Sequence, residues 1–136
     1  MVDTSQQQIE TFVQEWPSSS APARDIFLLF LKQLQGLADS RLEFHARPGV
    51  SYSLRGVRQE RTVRPLFVMV DVIDDEPRWL SVCFYGQAIT DPEQRGDFVP
   101  GGLLGEDGHC FDIEGTDSSL VAYVQGRIVE AHAAAA

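Results

Sequence analysis

Residues 65–85, from Pro65 to Tyr85, constrain the fold more than any other stretch. Leu66–Ile73 is rich in β-branched residues, and Trp79–Tyr85 mixes aromatic and aliphatic ones. Both suit strands in composition and length. Between them, residues 74–78 (DDEPR) are turn chemistry, with Pro77 unable to donate to a ladder. The pattern predicts a hairpin in which Ile73 pairs with Trp79, Val72 with Leu80, Val70 with Val82 and Val68 with Phe84. One face is then wholly apolar and must be covered. The other carries Phe67, Met69, Asp71 and Ile73 opposite Tyr85, Cys83, Ser81 and Trp79. It holds too little charge for a fully solvated face, so a loop, a ligand or a second subunit is expected over part of it.

The rest of the chain supplies the cover. Ile9, Phe12, Val13 and Trp16 lie at helical spacing behind a capping-box pattern at Ser5–Gln8, and Pro17 ends that helix. A second helix is predicted from about Pro22 to Leu37. Its apolar residues cover more than half its circumference, so it is expected on the Val68, Val70, Val72 face. Residues 42–47 and 50–55 alternate apolar and polar and read as two strands joined at Pro48-Gly49. A Pro-Gly turn has the wrong twist for a two-residue hairpin, so a wider loop is expected. Gly56–Arg64 reads as a basic loop. Residues 86–108 hold six glycines and two prolines and read as one long loop folded over the second face near Trp79 and Tyr85. His109–Ile113 reads as a fifth strand, and Ser119–Ala131 as a last helix with Leu120, Val124, Ile128 and Ala131 inward. The fold class expected is α+β: one two-layer domain over 1–136, an antiparallel sheet of about five strands, two N-terminal helices and one C-terminal helix.

Two helices, a strand containing Val50-Ser-Tyr-Ser53 after Pro-Gly, a basic connector, two apolar strands and a final helix resemble the YdhG-like domains of unknown function. The likeness spans roughly residues 20–130 and implies an α+β domain. Some relatives are discussed as iron handlers, but no iron-ligand position can be matched to this chain. The Gly-rich 86–108 segment departs from the pattern.

Charge narrows the function classes. The net charge of −9 over 136 residues argues against nucleic acid as a main partner. Charge is also unevenly placed: residues 41–64 hold six arginines against two acids, and residues 71–117 hold twelve acids against two arginines. No apolar run approaches the roughly 20 residues of a membrane helix, and no signal peptide is read at the start. Cys83 and Cys110 form no framework by spacing. They are expected as reduced, buried thiols in a cytoplasmic protein. No cofactor is implied and no metal site is expected, because three histidines and two cysteines lack the short paired spacings of zinc sites.

Three functions are weighed. The first is non-enzymatic binding of a small anionic ligand or an acidic protein segment, with His45, Arg47, Tyr52, Arg55, Trp79 and Tyr85 as the ligand-binding set. Arginine forks suit carboxylate or phosphate, and the aromatic side of the hairpin has the makeup of a pocket floor. The second is a homodimer whose interface is that same aromatic face. The third is an enzyme using Glu43 with His45 as an acid/base pair, or Cys110 with His45 as nucleophile and base. No motif with a mechanism is present, so the enzyme is the least favoured.

Overall fold

In the computed structural model, which describes residues 4–135, the central hairpin pairs in the expected register. Strand β3 (Leu66–Ile73) runs antiparallel to β4 (Trp79–Tyr85), with Ile73 opposite Trp79, Val72 opposite Leu80 and Val70 opposite Val82. Around it lie β1 (Ser40–Arg47), β2 (Ser51–Arg58), β5 (Asp97–Leu103) and β6 (Glu106–Ile113). The sheet is antiparallel throughout, in the order β1-β2-β3-β4-β6-β5, so β1 and β5 are its edges. Helices α1 (Thr4–Gln14), α2 (Ala21–Gln35) and α3 (Ser118–Ala134) all pack on the Val68, Val70, Val72 face. The class is α+β as expected, with six strands rather than five.

Burial follows the apolar stripes. Ile9, Phe12 and Trp16 are buried from the first helix and its exit; Ile26, Phe27, Phe30 and Leu34 from the second; Val121, Val124, Ile128 and Ala131 from the third. They meet Val68, Val70, Val72, Leu80, Val82 and Phe84 in one core. Helix α1 begins at Thr4, so Ser5 is already helical and any cap lies outside the described residues. Asp117 caps α3 by accepting from the Leu120 amide. Arg47-Pro-Gly-Val50 closes as a turn, with Val50 N donating to Arg47 O and Gly49 at φ +82°. The connection is three residues long, as the twist argument requires.

Three expectations are overturned. First, residues 97–103 are a strand, which leaves only 86–96 as a loop. That loop runs along α3 on the helix side, where Thr90 meets Glu130 and Arg127. On the other face Leu103, at the end of β5, is buried with Val57, Leu66, Met69, Cys83, Tyr85 and Cys110, and Val99 and Ala88 pack against that cluster. Secondly, Phe67 is not on the second face. Gly56 pairs with Val68 but Val57 with Leu66, so β3 carries one extra residue. This β-bulge turns the Phe67 ring into the helix-side core, against His132. Gly56 makes room for it: a Cβ there would stand 2.7 Å from the ring. Thirdly, Cys83 and Cys110 are directly opposite on β4 and β6 and form a disulfide, not two reduced thiols.

Candidate functional site

The ladder registers fix what the uncovered face of the sheet presents. One cross-strand row reads His45, Ser53, Asp71, Ser81, Asp112. The next reads Glu43, Arg55, Met69, Cys83, Cys110, and a third Arg47, Ser51, Ile73, Trp79. No helix lies over these rows; all three helices are on the opposite face. The Leu103 end of β5 closes only the lower part, around Tyr85.

The expected ligand set is divided by this geometry. His45, Arg47, Arg55 and Trp79 share the uncovered face. Tyr85 is on that side but buried, with the Arg64 guanidinium 5.0 Å over its ring. Tyr52 is opposite Val72 and faces the helices, where its ring lies 4.6 Å from that of Phe12. The remaining arginines of the basic segment are occupied elsewhere. Arg58 and Arg61 donate to the carbonyls of His132 and Ala135 at the C-terminal end of α3, where cationic donors are favoured. Arg64 pairs with Glu106.

On the uncovered face, Glu43 is shared by Arg41 at 3.0 Å and His45 at 3.2 Å. Arg55 donates through Nε to Ser53 Oγ at 3.2 Å. Asp71 sits beside them with Oδ1 buried and without a partner. Burial pushes its carboxyl above the ordinary range, against the opposing pull of Ser53 and Arg55. Trp79 donates from its indole nitrogen to Asp75 at 2.7 Å. The Glu43–His45 pair expected for acid/base work does form, on an exposed edge strand. Cys110 is bonded to Cys83, so no thiol is present to attack, and the nucleophile reading falls with it.

Two further constellations escape sequence reading. Asp91 accepts from Tyr123 Oη at 2.5 Å, His109 Nε2 at 2.8 Å, Gly96 N at 2.9 Å and Arg95 N at 3.0 Å. Burial alone would raise its pKa, but these four donors outweigh it and hold the carboxyl far below the usual range. Burial and donation to Asp91 in turn hold Tyr123 protonated, above its ordinary value. An aspartate opening the Asp-Pro-Glu-Gln-Arg-Gly turn is the one sequence signal for this knot. The second constellation centres on Arg78. Its guanidinium lies 4.9 to 5.2 Å from the ring centroids of Trp16, Phe12 and Tyr52. Nothing in the spacing of residues 12, 16, 52 and 78 announces that meeting.

Among the described residues no group of three or more His, Cys, Asp or Glu is placed to hold a metal ion, and no helix is long and apolar enough to cross a membrane. Comparisons with protein-family models, curated proteins and solved structures find no match.

Proposed function

We propose that this chain is a non-enzymatic binding domain that takes a small anion or an acidic segment at the β1–β2 corner of its uncovered sheet face. The observation that carries this is unused donor capacity. Arg47 makes no side-chain hydrogen bond or ion pair among the described residues, and Arg55 is engaged only through Nε. The other arginines of the basic segment are taken by α3, Glu43 or Glu106. Arg47 and Arg55 therefore present charge and forked donors to solvent, a combination suited to a carboxylate or phosphate, with His45 in the row between them and Trp79 farther along the same face on β4. Such binding weakens with salt, because exposed charges are screened. The test is titration with citrate, inorganic phosphate and a poly-Glu peptide, at low and at physiological salt. Arg47→Ala and Arg55→Ala are each expected to weaken binding about tenfold, on the scale of one charge-assisted hydrogen bond. Saturable binding that both variants leave intact overturns the site, and no binding of any of the three overturns the function.

A second reading, a homodimer through the same face, is favoured by the bareness of that face: no helix lies over its rows, and Ile73 and Trp79 stay only half-buried on it, the kind of aromatic and aliphatic surface that interfaces cover. Light scattering at about 100 μM, well above the μM dissociation constants common for such interfaces, decides it: a monomer removes this reading. Location belongs to the proposal as well. A cytoplasmic setting was expected with reduced thiols, whereas disulfides persist in oxidising compartments. Alkylation in the native cells before lysis separates the two: labelled cysteines support the cytoplasm, unlabelled ones an oxidising setting.

A further inference from the structure

We propose that the outer face of the α2–α3 layer is a self-association surface whose partner is a second copy of this chain, docked with its α2 antiparallel to the first across a two-fold axis. Exposure is the first observation. Among the described residues, the exposed large hydrophobics Val50, Val63, Phe98 and Leu104 lie on turns, a loop or the β5 rim, and only Leu29 and Val129, each about half exposed, stand on helices. Those two helices are neighbours, tied where Gln33 of α2 donates to the Gln125 carbonyl of α3 at 2.9 Å. Beside Leu29 an open groove of about 300 Å³ runs between them, with Ile26 and Val121 in its floor, Ala122 on its α3 side and Asp25 as its only charged lining residue. The water-facing side of a surface helix is ordinarily polar, so bare aliphatic side chains around an uncharged groove mark a surface with something to cover it.

Charge selects the occupant. Asp25 and Lys32 are both exposed on the outer side of α2, and Lys32 is the only lysine in the chain. Neither side chain makes a hydrogen bond or ion pair among the described residues. Seven residues, about 10 Å along a helix, put them too far apart to pair with each other. The midpoint of that span falls between Leu28 and Leu29. A two-fold axis there sets Asp25 of each copy opposite Lys32 of the other, and brings Leu28 and Leu29 against the same pair of the second copy. An acid, two leucines and a base are thus complementary to themselves when reversed, the condition that an isologous interface imposes. Aligning the two helices in parallel would set acid on acid and base on base, so the charges fix the orientation as well.

This packing stacks the two helix layers and turns both sheets outward. The β1–β2 corner of each copy stays open, so the surface is independent of the anion site. It is also a different surface from the bare sheet face.

The test is sedimentation velocity on the whole chain from about 10 μM to 1 mM, the weak range suited to a small interface. A concentration-dependent dimer is expected. Asp25→Lys and Lys32→Asp should each weaken it at least about tenfold, because both cross-axis pairs become repulsive. An equimolar mixture of the two variants should form a heterodimer of near-native strength, since every facing pair is again opposite in charge. Leu29→Glu should abolish the dimer, and Ile73→Glu, on the bare sheet face, should leave it intact. The proposal is overturned if the native chain stays monomeric to about 1 mM, if either charge reversal or Leu29→Glu associates as the native chain does, or if the mixture stays monomeric. A dimer lost in Ile73→Glu and kept in Leu29→Glu belongs to the sheet face and overturns it equally.

Discussion

Asp71 and Asp91 are the same residue type pushed in opposite directions, and each direction has a pH signature. Asp91 is held below its ordinary range in the folded state, so it contributes stability that is present above the unfolded carboxyl value of about 3.9 and lost as pH falls below it. Asp91→Asn is expected to be about 1–3 kcal/mol less stable at pH 7, the cost of leaving buried donors without their acceptor. In urea titrations the gap to the native chain should narrow below about pH 4, where the native carboxylate begins to lose its advantage. Asp71 is the reverse case. Its raised value means that the fold loses stability as pH rises through the folded value, so the ionised group is a liability at neutrality. Asp71→Asn is expected to be more stable than the native chain at pH 7, with the difference shrinking as pH falls into the carboxyl range. A destabilised Asp71→Asn at pH 7 would show that Ser53 and Arg55 outweigh the burial of this carboxylate. The periodicity of β3 places Asp71 on the face opposite the core, but Asp91 sits in a segment whose composition says only loop. Its four donors come from the turn itself, β6 and α3, and no local pattern encodes that convergence.

At the scale of elements, the β3–β4 register was legible because period-two patterning allows only one pairing with an unbroken apolar face. The bulge at Phe67 was not, since an extra residue leaves the alternation intact on paper and shifts the pairing only in space. Gly56 was its trace. Gly56→Ala is expected to cost about 1–3 kcal/mol, the range for forcing an extra methyl into a packed site, because its Cβ would meet the Phe67 ring. Trimming that ring as well, in Gly56→Ala with Phe67→Leu, should cost less than the sum of the two single changes. Additive losses would refute this packing account. The β5 strand escaped notice because residues 97–103 (DFVPGGL) lack alternation, and the pairing with β6 shifts register between Val99 and Leu103. Its hairpin closes through Leu104 and Gly105, both at positive φ, as the tight primed turns require. Leucine is a poor residue there, and its side chain is exposed. Leu104→Asn is therefore expected to raise stability by about 0.5–1 kcal/mol through relief of the left-handed conformation, read as a higher melting temperature.

For the molecule as a whole, the two sides of the sheet are held by different means. One side has a single large core under three helices. The other has a small satellite cluster in which the disulfide joins neighbouring strands across 27 residues of sequence. Replacing both cysteines by alanine is expected to cost about 2–4 kcal/mol, the usual scale for closing a loop of this order, as judged by equilibrium unfolding. Hydrogen exchange should rise mainly in β5 and β6, leaving the amides of β3 protected. Loss of protection throughout would mean that the bond supports the entire domain rather than one margin. The candidate ligand set was only partly legible for a related reason. Alternation assigned His45, Arg47 and Arg55 to one side, but which arginines remain available depended on where the C-terminal end of α3 came to rest.

The outermost strands carry one more implication. Along β1, Arg41, Glu43, His45 and Arg47 point away from the helices. At the other margin, β5 contains Pro100 and two glycines. Charge on one rim and a ring that cannot donate on the other are the means by which sheets discourage neighbours from adding strands. Solutions kept warm and concentrated should therefore stay clear and dark to amyloid dyes, even though half a sheet lies bare.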